Sequence, residues 1–364
     1  MRILLIGEYS NLHATLASAL RQLGHEVLVV SNGDNWKNYQ RDIDLRRYHA
    51  GPLGSISVCI RLLKALHKMK GFDVVQVINP IFVDLKPRWN KMLFDYLKKH
   101  NYSISLGVFG DDTVIINNSL NNDILQYTDL CINGTAIEGN DERINCWNSP
   151  ERKDMCHHAA SNSNCLIACL YEYYKLYAST DYKSRLRYIA LPINTEDQVP
   201  HVRHHDRVKI LIGVQKGRTQ WKGTDKMLPL FHRLAENHND KVELIEVKNI
   251  PFAEYKELLK NVDVLVDQLY SYTPAMNALE AMKNGVVVVS GGEDDYYRFI
   301  GEGSLRPIIN LQPCQDEQNY KLLEDTILDD NRLAQMSADS IAFVAKYHDA
   351  YLVAEQYLQI WSSL

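Results

Sequence analysis

No apolar run among the 364 residues approaches the ~20 needed to cross a bilayer, which excludes a membrane-spanning helix. The opening residues, Met1-Arg2-Ile3-Leu4-Leu5-Ile6-Gly7, are too short for the apolar part of a secretion signal. No cleavage site follows them, so a cytoplasmic chain is expected. Basic charge is not in excess: 40 Lys and Arg face 45 Asp and Glu, a net charge of −5. A general polyanion binder is thereby disfavoured, and no nucleic-acid partner is expected. Cysteine is sparse, seven residues and an odd number, read as free thiols in the absence of an export signal. Cys146, Cys156, Cys165 and Cys169 fall near His157 and His158. The tight C-x2-C spacing of a zinc site is missing, and Cys165-x3-Cys169 lies inside an apolar segment, so small buried residues are expected ahead of a metal site. The glycine signatures G-x4-G-K-[ST] and G-x-G-x-x-G are absent from the strand-to-helix turns, which disfavours a P-loop and an NAD-dependent dehydrogenase.

What is present is ordinary globular composition, 46% apolar and 23% charged, and a length that at ~150 residues per domain suits two domains. Arg2 to Ile6 reads as a buried strand. Leu12, Leu16, Ala19, Leu20 and Leu23 then recur at helical spacing, Gly24 stops the helix, and Glu26 to Ser31 is a second buried strand. This is a βαβ unit, and the pattern continues through a helix at Ile56–Lys68, a strand at Val74–Ile78, a helix at Lys86–His100 and a strand at Ser103–Val108. Leu130–Asn133 is a further strand, and Asn164–Tyr177 passes from strand into an aromatic-rich helix. Leu191 to Arg207 carries prolines, histidines and arginines without apolar periodicity and reads as a linker. Strands at Val208–Ile212, Val242–Val247, Val262–Asp267 and Val286–Ser290 then alternate with helices, and one amphipathic helix from Asp339 to Trp361 closes the chain. The expected class is α/β: a Rossmann-like domain over residues 1–193, a linker over 194–207, a second Rossmann-like domain over 208–340, and a terminal helix over 341–364. Two such halves are expected to enclose a cleft, with ligands at the carboxyl ends of the strands.

Two stretches carry chemistry. In Asp267–Gly292, Thr273-Pro274 reads as an N-cap followed by proline at the first helical position, and Gly285 as the residue just past the helix end. A helix N-terminus can hold a diphosphate. Glu280, seven residues after Thr273, falls on the same face, where its carboxylate can accept hydrogen bonds from a vicinal diol. The alternative is a generic buried helix with Glu280 merely exposed. In Ile210–Asp225, an apolar strand delivers Gly213 and Gly217 together with Lys216, Arg218 and Lys222, which suits close approach and neutralisation of phosphate. A solvated basic turn is the alternative there.

These residues resemble the C-terminal domain of GT-B glycosyltransferases, most closely the retaining family 4 group. Lys222-Gly223-Thr224-Asp225 matches that family's K-G segment, and Asp263 to Gly285, ending in A-L-E-A-M-K-N-G, matches its donor-binding segment. The likeness covers about 100 residues there; in the N-terminal half it rests on Gly7, the turn Gly24–Val27 and the strand order, and it implies that the closing helix over 341–364 crosses back onto the first domain. The resemblance implies a glycosyltransferase that takes a nucleotide-sugar as substrate with no separate cofactor. It implies transfer to a glycan or lipid-linked acceptor in bacterial surface polysaccharide synthesis, with retention and without a metal. Arg218 and Lys222 would neutralise the diphosphate, Thr273, Pro274, Ala275 and Met276 would meet it with backbone, and Glu280 would hold the ribose. Tyr272 stands where the family's E-x7-E motif has its first Glu, which puts the sugar contact and the stereochemistry in question. Asp111, in Phe109-Gly110-Asp111-Asp112, matches a position where the family carries a polar residue against the donor sugar, and is the catalytic candidate; an Asx turn is the alternative. Asp111 and Asp112 are adjacent, not spaced as in a D-x-D metal motif. His13 and Glu8 are weaker candidates for the acceptor, and Lys248–Phe252 for the nucleotide base. A nucleotide-sugar epimerase of the same fold and a non-enzymatic nucleotide-sugar-binding protein stay open. Arg61, Lys64, Lys68 and Lys70, beside Leu62, Leu63 and Leu66, suggest a helix that touches the inner face of a membrane, with a solvated helix face as the alternative.

Overall fold

The computed structural model describes all residues except Asn122, 201–205, Gln215, Lys216, Arg218 and Asn249, and the side chains of Phe252 and Ala253. The chain divides into two compact units: Met1–Asn118, Glu142–Pro192 and Ala350–Leu364 form the first, and Ser119–Asp141 with Ile193–Asp349 the second.

The first unit is built on β1 (Arg2–Ile6), β2 (Glu26–Ser31), β3 (Ile43–Asp44), β4 (Val74–Val77) and β5 (Ser103–Val108). The hairpin β6 (Cys131–Ile132) and β7 (Thr135–Ala136) falls in the second unit, and β8 (Cys165–Ala168) and β9 (Leu186–Tyr188) complete the first. The parallel sheet runs β3-β2-β1-β4-β5-β8-β9. Ile3 to Ile6 are fully buried, as a strand covered on both faces by helices requires. Helix α1 (Leu12–Gln22) follows β1 and packs its Leu12, Leu16 and Leu20 inward. Gly7 makes the turn between them at φ +87°, and a Cβ there would lie 2.2 Å from Ile78 Cγ2, so only glycine fits.

The second unit carries β10 (Val208–Val214), β11 (Val242–Lys248), β12 (Val264–Val266), β13 (Val287–Val289) and β14 (Ile308–Ile309), all parallel, in the order β11-β10-β12-β13-β14. In each sheet the order reverses beside the first strand, between β1 and β4 and between β10 and β12. Such a switch point is where open α/β sheets leave a crevice for ligands.

The structure differs from the sequence expectations in three places. Residues 119–141, expected with the first domain, belong to the second unit, where the expected strand at 130–133 is the short antiparallel hairpin β6–β7. The closing helix is two helices, Asp330–Tyr347 and Ala350–Trp361. The break falls where Ile193 N donates to His348 O at 2.7 Å and the Thr195 hydroxyl donates to Asp349. As the resemblance implies, the final helix belongs to the first unit, where it packs on α1.

Candidate functional site

At the switch point of the second unit, Ile212 pairs with Val266, and Gly213 and Asp267 come next on β10 and beyond β12. The Asp267 side chain is 1% exposed. Its Oδ1 accepts from Lys222 Nζ at 2.9 Å and from Asn277 Nδ2 at 2.9 Å, while Oδ2 has no hydrogen-bond partner among the described residues. Asn277 Oδ1 in turn accepts from the Tyr255 hydroxyl at 3.1 Å; burial, then the charge of Asp267, pushes that phenol above its ordinary range. A buried carboxylate is tolerable only when its charge is matched, and Lys222 does this. Lys222 ends the short helix Thr219–Lys222, and its carbonyl accepts from Leu269 N at 2.8 Å. Gly223 follows at φ +68°, where a Cβ would lie 2.6 Å from Leu269 Cβ. The strand-end ladder also places Ser290 beside Asp267, through Asp267 N to Val289 O at 2.9 Å, and the buried Ser290 hydroxyl has no partner among the described residues.

Thr273 is not an N-cap, nor is Pro274 the first helical residue. The helix is Met276–Met282, and Ala275 precedes it in extended conformation without a side-chain cap. The Ser271 hydroxyl donates to Thr273 O at 2.6 Å and Glu293 N donates to Tyr272 O at 3.2 Å, so these peptides are held out of helical pairing. The first helical bond runs from Leu279 N to Ala275 O at 3.0 Å, which leaves the N–H groups of Met276 to Ala278 in the first turn. Glu280 is therefore one turn into the helix, not two. It pairs with Lys283 at 2.9 Å, and Lys283 also holds Asp197 at 2.7 Å. Burial pulls the Lys283 ammonium down, but Glu280 and Asp197 more than offset this, so it ends above its ordinary value.

Tyr272 is buried, stacks on Tyr127 with ring centroids 4.8 Å apart, and accepts from Gln126 N at 3.1 Å. Burial pushes its phenol up to about 12. Tyr127 donates to Glu293, which also accepts from Asn310 Nδ2 at 2.8 Å. The position of the family's first Glu is thus filled by a ring locked into the second unit's own packing. Among the described residues, a Cβ added at Gly213 would meet the Tyr255 ring at 4.0 Å. Arg218 and Lys216 lie outside the described residues. In the expected base-binding loop Lys248 is exposed, while Asn249 and the Phe252 side chain also lie outside the described residues.

In the first unit, Asp111 is held by Arg143, Nε to Oδ2 at 2.6 Å, with its side chain 24% exposed. Asp112 is the capping residue: fully buried, it accepts from Ile115 N at 2.8 Å and from the Tyr177 hydroxyl, at the start of the helix Thr113–Ser119. Burial pushes the Asp112 carboxyl up to about 6 against those bonds. Glu8 accepts from His13 N at 3.3 Å and Ala14 N at 2.9 Å at the start of α1, and burial pushes it up to about 8. His13 Nδ1 donates to Gly7 O at 2.8 Å, and burial pulls the ring down to about 4. Both side chains are enclosed in the first βα turn, so the geometry offers neither to an acceptor. Asp42-Ile43-Asp44 has D-x-D spacing, but Asp42 pairs with Arg21 at 2.6 Å and Asp44 with Arg41 at 2.8 Å. Cys156 and Cys165 are buried, and burial pushes them up to about 12 and about 11, so both are protonated thiols.

Asp267, Asn277, Tyr255 and Arg143 had no assigned role in the sequence. An aspartate directly after an apolar strand, Asp267 after Val264–Val266, was the available signal for the first. Nothing in the sequence marks the others.

No protein-family model matches the sequence, and no curated protein does. Solved structures do match. Anabaena Alr3699/HepE in complex with UDP and glucose is 11% identical, with both chains covered in full and a TM-score of 0.59. Sucrose-phosphate synthase (tll1590) from Thermosynechococcus elongatus is 13% identical, covering 100% of this chain and 99% of that one, with a TM-score of 0.62. The catalytic domain of Starch Synthase IV from Arabidopsis thaliana, bound to ADP and acarbose, is 12% identical over 100% and 99%, with a TM-score of 0.58. At such identities the likeness is one of fold, and the fold is GT-B, two Rossmann-like units on one chain.

Proposed function

We propose that this chain is a glycosyltransferase that binds a nucleotide-sugar donor in its second unit. It passes the sugar to a glycan or lipid-linked acceptor in bacterial surface polysaccharide synthesis, at the cytoplasmic face of the membrane. The observation that carries this reading is the Lys222–Asp267–Asn277 group at the β10–β12 switch point. HepE, of the same fold, is named in complex with UDP-glucose, and WaaB as a lipopolysaccharide outer core galactosyltransferase.

In this reading the Lys222 ammonium meets the negative charge that grows on the departing diphosphate, joined by Arg218 and the first-turn N–H groups of Met276 to Ala278. Asp267 fixes the ammonium in place. Glu280 accepts hydrogen bonds from the ribose hydroxyls, and Asp111, held by Arg143 within the first unit, is the catalytic candidate that the family resemblance supplies. These charges would take the place of a metal, and retention is proposed on the resemblance to the retaining family 4 group alone. Tyr272 favours a second reading, in which the chain binds a nucleotide-sugar without transferring it. An epimerase would convert the donor with no acceptor present.

Thermal unfolding with UDP-, GDP-, ADP-, CMP- and dTDP-sugars, and with NAD, tests the reading. A ligand at 100 times its Kd adds about 2.7 kcal/mol, a shift of a few degrees. No shift with any nucleotide-sugar, or a shift with NAD alone, sinks the proposal. Product analysis with and without acceptor then separates transfer from epimerisation and from binding alone.

A further inference from the structure

Helix α2 (Gly51–Ala65) buries Gly54, Val58 and Leu62. Its other side is also apolar. Leu53 is 72% exposed, Ile56 55%, Ile60 48% and Leu63 66%. At 100° per residue these four fall within an arc of about 80°, roughly opposite the buried face. Leu62, expected on the contact face, is buried, and Leu53, Ile56 and Ile60 are exposed in its stead. Scattered exposed leucines are normal on a surface, but a continuous stripe on one helix marks a contact. Exposed aromatic rings lie in the neighbouring sequence, Trp36 at 66% and Tyr48 at 58%.

Charge says what the stripe fits. From Leu45 to Phe72 there is no Asp or Glu and there are six basic residues, Arg46, Arg47, Arg61, Lys64, Lys68 and Lys70, in a chain of net charge −5. Arg47 is paired with Asp84 at 2.8 Å, and Arg61 reaches Asp44 at 4.0 Å. Lys64, Lys68 and Lys70 have no carboxylate partner among the described residues; Lys64 lies on α2 next to the stripe, and Lys68 and Lys70 follow the helix end in sequence, Lys70 with its Nζ 5.4 Å from the Tyr96 ring centroid. A large apolar face bordered by lysines and lacking acid suits the boundary of an anionic bilayer, where acyl chains take the side chains and headgroups meet the ammonium groups.

We propose that α2 seats the first unit on an anionic lipid surface, with Leu53, Ile56, Ile60 and Leu63 in the interface and Lys64, Lys68 and Lys70 on the headgroups. The inference deepens the proposed function and rests on it for its purpose: it brings the enzyme to a lipid-linked acceptor.

The test is flotation of the full chain with vesicles of phosphatidylcholine alone and of phosphatidylcholine mixed with phosphatidylglycerol. Binding is expected to the mixed vesicles, weakened about tenfold or more by Ile56→Asp with Leu63→Asp, and similarly by Lys64→Glu with Lys68→Glu or by raised salt. All four positions are exposed, so unchanged melting temperatures confirm that the variants fold. The nucleotide-sugar thermal shift should persist in both variants, so failure of the donor reading and failure of the surface reading show up in different assays. Equal binding to both vesicle types, equal binding by wild type and variants, or no binding overturns the proposal. So does a concentration-dependent dimer, without vesicle binding, that Ile56→Asp with Leu63→Asp abolishes, because the stripe then meets a second copy.

Discussion

Lys222 and Asp267 meet as an ion pair at 2.9 Å, with the carboxylate 1% and the lysine side chain 25% exposed, and Asp267 Oδ2 has no partner among the described residues. The lysine expected to neutralise a ligand is thus also the counter-charge of a buried acid. Lys222→Ala should therefore destabilise the second unit and not leave the fold untouched. A loss of about 2 kcal/mol is expected, short of the roughly 3–5 for a fully buried pair because the lysine is partly solvated. Adding Asp267→Asn should restore most of that stability, because it removes the stranded charge, while the nucleotide-sugar thermal shift stays lost. Urea unfolding of the two variants checks this; a double variant no more stable than the single one contradicts it.

Glu280 has a different balance. Its partner Lys283 keeps Asp197 at 2.7 Å and Asn194 O at 3.2 Å when the Glu280 charge is removed. Glu280→Gln should change stability by less than about 1 kcal/mol. Donor affinity should fall about tenfold, near 1.4 kcal/mol, if Glu280 holds the ribose. Calorimetric titration of the nucleoside diphosphate decides the point, and an unchanged Kd would remove Glu280 from the site.

Asp111 and Arg143 can be separated by kinetics. Asp111→Asn takes the charged partner from an arginine whose side chain is 10% exposed, and should lower stability by about 1–2 kcal/mol. A purely structural aspartate would stop there. A catalytic one should also lower turnover by about tenfold or more with the donor Kd unchanged. Initial rates on the folded variant, well below its melting temperature, distinguish the two.

Glu8 should make stability fall with rising pH. Its carboxyl is raised from 4.5 to about 8 in the folded chain by burial. Between those values the native state holds a proton that the unfolded state has released, so the contribution is fully present below about pH 4.5 and lost as pH climbs to about 8. His13 acts oppositely at lower pH, where its folded value of about 4 lies under the ordinary 6.5. Glu8→Gln should flatten the decline in melting temperature between about pH 6.5 and 8, above the window in which His13 titrates. Parallel slopes for wild type and variant would show that Glu8 does not titrate there.

The sequence by itself determined the sheets. Apolar runs such as Ile3–Ile6 and Ile210–Ile212 are strands because burial on both faces leaves no room for polar alternation. Gly7 and Gly223 marked tight turns after strand and helix, because a positive φ at a close approach admits only glycine. Lys222 and Glu280 were visible as candidates because charged residues stood at fixed distances from those strands and turns. Tertiary structure decided what each charge does. Asp267 became a buried anion because Lys222, 45 positions earlier, reaches it across the switch point. Asp111 met Arg143, 32 positions later, and Tyr272 met Tyr127 from a segment expected in the other domain. The helix at Met276 starts late because Ser271 and Glu293 occupy the carbonyls of Thr273 and Tyr272. Periodicity along a chain reports which face is buried, but the partner of a polar group is set by whichever distant segment the fold brings beside it.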